Sequence, residues 1–419
     1  MPTAILDEIL VSKGNKETSG KKADSHAVSG AIVTGADYRA LGVVRSLGRH
    51  GVPVWVVKDT DHALATHSKY ATRTLRPPEG NGEARLKFFL DLSKECSLQK
   101  WVLFPTDDEA VAFVSRYHAE FSQAFRVVTP AWESLKWAVN KVLMHRLATK
   151  LGVAQPWTFC PDNIDQLSSM DCPFPVILKP ALKDVSNSFT TAKAWRVDDR
   201  KTLIRAYKEA AAVMPADLLM VQEVIPGGGE NQFSYTTLCL DGKPLVHLTA
   251  KRRRQYPMDF GRASTYVETI DEPGLVEPSV RLLDALKLSG LVEIEYKRDP
   301  RDGSFKLLDI NPRVWGWHTL CRRAGVDYPY LLWLLLNEKP LPEVEAHAGV
   351  RWVRLSSDLP NALKGMLRGR ISPFEYVRSF FGGPLEEAVM AKDDVWPGIV
   401  EFPLLVDTAA KRLLSRRKI

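Results

Sequence analysis

The sequence contains few cysteines and no long apolar run. Five cysteines occur in 419 residues, and their odd number and wide spacing fit neither a disulfide framework nor a C-x-x-C motif. This usage indicates a reduced, cytoplasmic setting. The longest apolar stretch, Tyr328–Leu336, is far shorter than the ~20 residues that a membrane helix needs. We therefore expect a buried helix there and no stable membrane insertion.

Two further absences narrow the classes of enzyme. The nine histidines form no metal-binding pattern, no Ser-His-Asp or Cys-His set suggests itself, and we expect His318 to be a packed or hydrogen-bonded residue and not a base. The turn "GADYRALG" after the first predicted strand lacks the G-x-G-x-x-G spacing of dinucleotide sites. This argues against an NAD-dependent oxidoreductase, which NADH binding would test.

Composition and charge fit a globular enzyme with anionic ligands. The chain is 45% hydrophobic and 26% charged, and its formal net charge is +7. Such an excess favours anions but does not separate nucleic acid from a phosphorylated metabolite. The length predicts two or three domains.

The pattern of strands and helices predicts an α/β (α+β) fold in four segments. Short strands alternate with helices after a polar tail, which is typical of a parallel, Rossmann-like sheet. One helix through "WESLKWAVNKVLMHRLATKLG" leads to a region where Asp241-Gly242 and a turn centred on Asp302 predict β-hairpins, and hence an antiparallel sheet. The predicted segments are a disordered tail at 1–28, a Rossmann-like domain at 29–130, a domain at 131–340 with a small lid at about 150–225, and a C-terminal extension at 341–419.

The second hairpin carries the first candidate chemistry. If its turn centres on Asp302, Glu295 lies opposite Asp309 and Glu293 opposite Asn311 on one face of the sheet, because side chains alternate along a strand. Like charges placed opposite each other repel unless a cation lies among them. Oxygen ligands suit Mg²⁺ or Mn²⁺ alongside substrate phosphates. A solvent-facing hairpin with scattered charges is the alternative.

Other segments offer anion-binding and base-binding groups. Lys179 ends the apolar strand "PVIL", so its ammonium either reaches water or meets an anion. In "VQEVIPGGGE" an apolar strand runs into a glycine-rich hinge whose backbone is able to bond a flat base edge, with Glu230 placed near a sugar hydroxyl; a flexible turn is the alternative. After "WVLFP", helix capping accounts for Thr106, Asp107 and Asp108 better than substrate binding does.

Taken in order, these elements resemble the ATP-grasp superfamily. The resemblance rests on five elements in sequence over Asn140 to Arg313, which are Asn140-Lys141, "LKP" at Lys179, "QEVIPG" from Gln222, "IEYK" around Glu295 and "DINPR" from Asp309. Within the superfamily, the run "RRRQYP" and "KLLDINPRVWGWH" look most like predicted ATP-dependent carboxylate-amine ligases, which are similar to D-aspartate ligases. The Rossmann-like part resembles the domain that precedes the ATP-grasp domain in that family.

The resemblance implies an activity and a set of site residues. It implies a ligase that activates a small-molecule carboxylate as an acyl phosphate and joins it to an amine, with ATP bound between the lid and the antiparallel sheet. Lys141 and Lys179 would contact the phosphates and Arg313 the phosphate or the reacting carboxylate. The adenine would be held by Gln222, Glu223 and Ile225, the ribose by Glu230, and Mg²⁺ or Mn²⁺ by Glu295, Asp309 and Asn311.

Two departures from the family pattern stand out. Asp309 replaces the usual glutamate, and the stretch after Lys179, "ALKDVSNSFTTAKAW", contains no glycine, whereas the family often has a glycine-rich flap over the phosphates. A non-catalytic ATP-binding protein is therefore the first alternative.

The basic run Lys251–Arg254 is the remaining motif. Four basic residues can mark a nucleic-acid patch, but this run lies between a hairpin strand and the predicted metal strands, so we expect it to face the ATP cleft. Lys251 and Arg254 are the candidates for binding a carboxylate or the acyl phosphate. We expect no nucleic-acid partner, and the extension after residue 341 is a candidate surface for a homodimer.

Overall fold

The computed structural model describes residues 29–58, 60–182, 189, 194–257 and 263–416, with side chains up to residue 407. The predicted polar tail, most of the glycine-poor stretch after Lys179 and residues 258–262, which include "DFG" shortly after the basic run, lie outside the described residues.

The first sheet is parallel and four-stranded, as the alternating pattern predicts. Its strand order is β3-β2-β1-β4, so β1 and β4 are neighbours although β2 and β3 intervene in the chain. The strands are β1 (Ala31–Thr34), β2 (Val54–Val57), β3 (Ala71–Leu75) and β4 (Val102–Pro105), and the helices are α1 (Tyr38–Arg49), α2 (Gly82–Glu95), α3 (Asp108–Arg116) and α4 (His118–Ala124).

Two details of this sheet differ from the sequence expectation. The stretch "FRVVTP" from Phe125, whose β-branched residues predict a further strand of this sheet, is not a strand but makes one isolated bridge, between Arg126 and Val102. The edge strand β3 carries an exposed Thr72-Arg73 pair. Because a buried parallel strand is recognised by a continuous apolar run, this polar pattern does not predict a strand.

The predicted bridging helix is two helices. They are α5 (Trp132–Val139) and α6 (Lys141–Lys150). Asn140 separates them because its backbone is extended (φ −86°, ψ 113°) and its side chain accepts hydrogen bonds from the amides of Val142 and Leu143. Such capping favours a new helix start over continuation, and it brings Lys141 to the first position of α6.

A small antiparallel sheet lies within the predicted lid segment. Its order is β5-β8-β6-β7, and its strands bury one face against helices rich in apolar residues. The elements are β5 (Thr158–Phe159), α7 (Gln166–Ser169), β6 (Val176–Pro180), β7 (Trp195–Val197), α8 (Arg200–Ala211) and β8 (Leu219–Glu223).

The large sheet has seven strands in the order β13-β12-β9-β10-β11-β14-β15 and is antiparallel apart from its last pair. Both predicted hairpins are confirmed; in the first, Asp241 and Gly242 both have positive φ (49° and 76°), as a tight hairpin turn requires. The predicted buried helix at Tyr328–Leu336 is also confirmed. The elements are β9 (Gln232–Leu240), β10 (Lys243–Tyr256), β11 (Ala263–Ile270), α9 (Val276–Leu286), β12 (Gly290–Arg298), β13 (Phe305–Asn311), α10 (Thr319–Arg323) and α11 (Tyr328–Leu336).

The C-terminal extension is built into this architecture. Its strands β14 (Arg351–Val353) and β15 (Leu385–Glu387) complete the large sheet, and α12 (Leu355–Leu367), α13 (Pro373–Arg378) and α14 (Trp396–Arg416) flank it. The buried carboxylate of Asp394 accepts hydrogen bonds from Arg45 on α1 (2.9 Å) and from Ser68 (2.6 Å). The extension therefore ties the first sheet to the large sheet.

This contact predicts a position-specific loss of stability. Asp394→Ala leaves the buried guanidinium of Arg45 without its carboxylate, so we expect it to lower the free energy of unfolding by about 3–5 kcal/mol. The neighbouring Asp393 pairs with Arg49 nearer the surface, and Asp393→Ala serves as the control with an expected loss of about 0–1 kcal/mol. Urea denaturation measures both, and equal losses would contradict the assignment.

Candidate active site

The site is built on the β12–β13 pair. The predicted register is confirmed, with Glu295 opposite Asp309 and Glu293 opposite Asn311. Residues directly opposite each other on antiparallel strands lie within about 5 Å at Cβ. The pairing therefore gathers three carboxylates and an amide at the sheet edge that lies nearest the lid.

Positive groups and an amide hold these carboxylates. Lys141 Nζ lies 2.5 Å from an Asp309 oxygen, and Arg252 donates to Glu295 at 3.1 Å. The side-chain amide of Asn311 donates to Glu295 (2.9 Å) and Glu293 (3.2 Å). The repulsion expected among the carboxylates is thus offset by cations brought from α6 and β10.

Glu293 forms the buried floor of the cluster. Its carboxylate accepts hydrogen bonds from Ser234 (3.0 Å) and from the indole of Trp317 (3.1 Å). Burial, and secondarily the nearby charge of Glu295, raise the pKa of Glu293 to about 8. The sequence placed Glu293 on this face but gave no sign that it is enclosed.

A first cavity, of about 770 Å³, lies between the lid sheet and the large sheet. Lys179 and Gln222 lie on its lid wall, where the ammonium donates to the Gln222 side chain at 2.8 Å. Its opposite wall comes from the large sheet. The predicted residues that line it are Lys141, Lys179, Gln222, Glu223, Ile225, Glu295 and Asp309.

The hinge after β8 closes one end of this first cavity. Lys297 Nζ donates to the carbonyl of Ile225 at 2.8 Å and to that of Gly227 at 2.6 Å, a contact that sequence reasoning missed. The exposed carboxylate of Glu230 accepts from the Gly228 amide (2.9 Å), and among the described residues it lines neither cavity. Its role toward a ribose stays a prediction.

The carboxylate of Glu223 belongs to an ion-pair network with the β12–β13 turn. Arg301 donates to it at 2.8 Å and Lys306 at 3.2 Å, and both also pair with the fully buried Asp299. Burial alone would raise the pKa of Glu223, but bonds from Arg301, the Trp157 amide and Lys306 outweigh burial and hold it below its usual range. The side chain of Glu223 thus holds the lid hinge to the large sheet.

A second cavity, of about 800 Å³, lies between the first sheet's helices and the large sheet. Asp107 caps α3 through the Ala110 amide, as predicted, whereas the next residue, Asp108, reaches across this cavity to Arg313 at 2.5 Å. The cavity wall is rich in guanidinium groups, contributed by Arg39, Arg85, Arg116, Arg252 and Arg313.

The two cavities meet at the carboxylates. Lys141, Glu295 and Asp309 line both of them, whereas Asn311 and Arg313 line only the second. Groups bound in the two cavities would therefore face each other across Glu295 and Asp309.

The basic run is split between the two faces of the sheet, which corrects the expectation that Arg254 faces the cleft. Arg254 binds the fully buried Asp358 with two donors and lies 4.1 Å from the Tyr266 ring centroid. An irregularity in the β10–β11 pairing between Arg252 and Arg254 breaks the simple alternation. As a result Arg252, and not Arg254, lines the second cavity.

Lys251 also lies away from both cavities. Its ammonium is 5.2 Å from the Phe233 ring centroid, and burial lowers its pKa. Among the described residues it lines neither cavity. Successive residues of β10 point to opposite faces of the sheet, and the sequence does not show which face borders the cavities. The placement of Lys251 away from them was therefore not predictable from its position in the strand.

The donor set suits a hard divalent cation shared with substrate. Glu295, Asp309 and Asn311 offer carboxylate and amide oxygens without sulfur or imidazole, which is the ligand chemistry that Mg²⁺ prefers. In the described part of the chain, no group of three or more His, Cys, Asp or Glu side chains is arranged to hold a metal by itself. Mg²⁺ is commonly bound by one or two carboxylates together with substrate phosphates, and these residues fit that mode.

Comparisons with known proteins agree with this architecture. Residues 216–356 match the family described as "ATP-grasp in the biosynthetic pathway with Ter operon". The chain is 22% identical over 304 residues to D-aspartate ligase of Enterococcus faecium (strain Aus0004), which covers 67% of this chain and 70% of that protein.

Solved structures share the fold. The L-amino acid ligase from Bacillus licheniformis superposes with a TM-score of 0.58 at 14% identity, covering 76% of this chain and 77% of that one. An ADP complex of N5-carboxyaminoimidazole ribonucleotide synthetase gives 0.60 at 14% identity, with 82% and 85% covered. The chain has the ATP-grasp fold, and the resemblance seen in its sequence is confirmed.

His318 is a packed residue, as the sequence suggests. It is buried against Gly42 of α1, its Nδ1 bonds the Trp315 carbonyl at 2.9 Å, and Nε2 has no hydrogen-bond partner in the described part of the chain. Burial lowers its pKa from 6.5 to about 4.

This burial predicts a pH dependence of stability. The unfolded chain binds a proton at His318 below about pH 6.5 while the folded protein resists it until about pH 4, so stability falls as the pH drops between these values. We expect this residue to account for up to about 3 kcal/mol of that fall, and His318→Asn to flatten the curve in this window. Urea denaturation from pH 4 to 7 measures it; an unchanged slope in the variant would contradict the assignment.

Proposed function

We propose that this protein is an ATP-dependent ligase that activates a carboxylate as an acyl phosphate and joins it to an amine. The observation that carries the proposal is the meeting of the two cavities at Lys141, Glu295 and Asp309. With a nucleotide in the first cavity and an acid in the second, the γ-phosphate and the carboxylate would lie on opposite sides of these three residues. We call this shared wall, which carries the Lys141 ammonium and the proposed metal ligands, the boundary.

The first cavity is the proposed ATP site. The hinge backbone around Glu223 and Ile225 would take the adenine together with the Gln222 side chain. Lys179 on the lid and Lys141 on α6 would contact the phosphates, since each presents a largely buried ammonium to the cavity. Burial strengthens the attraction between an ammonium and a phosphate relative to water.

Glu295, Asp309 and Asn311 would hold Mg²⁺, or Mn²⁺, at the boundary. When bound, the metal supplies charge stabilisation to the β- and γ-phosphates. Lys141 and Arg252 now neutralise the two carboxylates, and both cations are placed to turn toward phosphate oxygens. Asp309, although one methylene shorter than the usual glutamate, lies opposite Glu295 as this role needs.

The second cavity is the proposed site of the acid substrate. Its carboxylate oxygen would attack the γ-phosphorus, the bond to the bridging oxygen would break, and ADP would leave. The amine would then attack the acyl carbon, lose a proton and release phosphate. Arg313 and Arg252 would hold the reacting carboxylate and the developing charge by hydrogen bonds.

We propose small molecules as the substrates and a cytoplasmic location, in keeping with five unpaired cysteine thiols. The basic run gives no support to a nucleic-acid partner, because Arg252 and Arg254 are engaged in contacts inside the protein. A homodimer stays a prediction that light scattering tests.

Product formation tests the function directly. With ATP, Mg²⁺ and a metabolite extract, the protein is expected to release ADP and form a compound that mass spectrometry detects only when all components are present. Lys179→Ala and Asp309→Ala should each lower ADP release by roughly 100-fold or more, while exposed Lys208→Ala and Asp217→Ala serve as controls. Normal turnover in the first two variants would overturn the proposal, and nucleotide binding without product would indicate a sensor.

The two neighbouring arginines should respond differently. Arg252→Gln removes a guanidinium from the second cavity, so we expect kcat to fall by about 10–100-fold. The loss of stability should be smaller than that of Arg254→Gln, because its partner Glu295 is partly exposed whereas Asp358 is fully buried. Arg254→Gln leaves the buried Asp358 unpaired and should cost about 3–5 kcal/mol of stability, with normal kcat per folded molecule. Steady-state kinetics and thermal unfolding of both variants check this. A loss of kcat in Arg254→Gln with normal kcat in Arg252→Gln would indicate that Arg254, and not Arg252, acts in the active site.

A further inference from the structure

The C-terminal extension carries large apolar side chains that are exposed to solvent. On α12 the leucines at 359, 363 and 367 recur every fourth residue, which keeps them on one side of the helix. Their exposure rises from 45% at Leu359 to 89% at Leu367. Phe374, Phe381 and Phe402 are each more than 70% exposed. We call these six residues the outer face.

The opposite side of these helices is fixed to the protein. Asp358 of α12 binds Arg254, whose guanidinium also lies over Tyr376 of α13. Glu401 of α14 accepts hydrogen bonds from Arg354 and Ser356 at the start of α12. The three helices thus contact the protein through the sides that carry Asp358, Tyr376 and Glu401, and the residues of the outer face are left exposed.

Between positions 355 and 401, the charged side chains follow the same division between an inner and an exposed side. Seven acidic residues lie between positions 355 and 401, and Glu375 among them is exposed. The other six form hydrogen bonds or ion pairs within the protein; they are Asp358, Glu386, Glu387, Asp393, Asp394 and Glu401. The basic side chains of Lys364, Arg368 and Arg378 are exposed beside the outer face. The surface around α12 and α13 is therefore apolar and mainly positively charged, with Glu375 as an exposed acid, and Asp407 is exposed further along α14.

We propose that the outer face docks on an anionic membrane surface, with its leucines and phenylalanines among the lipid chains and Lys364, Arg368 and Arg378 at the phosphates. Apolar side chains flanked by Lys and Arg are the composition of helices that lie in a membrane interface. A second copy of the chain is the weaker occupant, because pairing two such faces would bring like charges together in a protein of net charge +7. No helix in the described part of the chain is long and apolar enough to cross a membrane, which docking on the surface does not require.

Co-sedimentation of the full chain with vesicles tests the proposal. We expect binding to vesicles that mix phosphatidylcholine with phosphatidylglycerol, little binding to phosphatidylcholine alone, and weakening by salt. Arg368→Gln and Arg378→Gln should each weaken binding by roughly fivefold. Leu367→Asp and Phe374→Ser should weaken it further, while Leu245→Asp, at an exposed leucine of β10, should bind as the unchanged protein does.

Thermal unfolding and ADP release of each variant serve as folding controls, and vesicle binding is measured without ATP, so its result does not depend on the ligase activity. Equal binding by Leu367→Asp and Leu245→Asp would overturn the proposal. So would a dimer in light scattering that Leu367→Asp dissolves, since a second copy would then cover the outer face.

Discussion

The pairing of β12 with β13 is the constraint on which the site depends. It places Glu295 against Asp309 and Glu293 against Asn311, an arrangement that would repel itself in the absence of cations. Lys141 of α6 and Arg252 of β10 neutralise this negative charge through ion pairs with Asp309 and Glu295. One β-hairpin therefore brings together α6 and β10, through these two ion pairs, at the place where we propose that the triphosphate and its metal bind.

The lid is held to the same hairpin from its other end. Arg301 in the turn after β12 and Lys306 at the start of β13 bind the Glu223 carboxylate at the end of β8, and Asp299 pairs with both of these cations. The hairpin thus organises the carboxylate cluster at one end and the hinge of the lid at the other. Moving the lid hinge away from the hairpin would break the ion pairs of the buried Glu223 carboxylate with Arg301 and Lys306.

Ion pairs connect the parts of the molecule in addition to a shared apolar core. Asp394 binds Arg45 across the junction of the extension and the first sheet, Asp108 binds Arg313 across the second cavity, and Asp358 binds Arg254 under the C-terminal helices. Each contact joins residues far apart in sequence, and the carboxylates of Asp394 and Asp358 are buried where they would be unfavourable without their partners.

The sequence by itself determined the order of the elements, the two hairpins and the register that brings Glu295 to Asp309, because these follow from side-chain period and turn chemistry within a short stretch of chain. The tertiary structure alone decided the split of the basic run, with Arg252 lining the second cavity and Arg254 bound to Asp358, and the enclosure of Glu223 and Glu293. These features depend on irregular pairing and on partners tens to hundreds of residues away, and neither leaves a periodic signal in the chain.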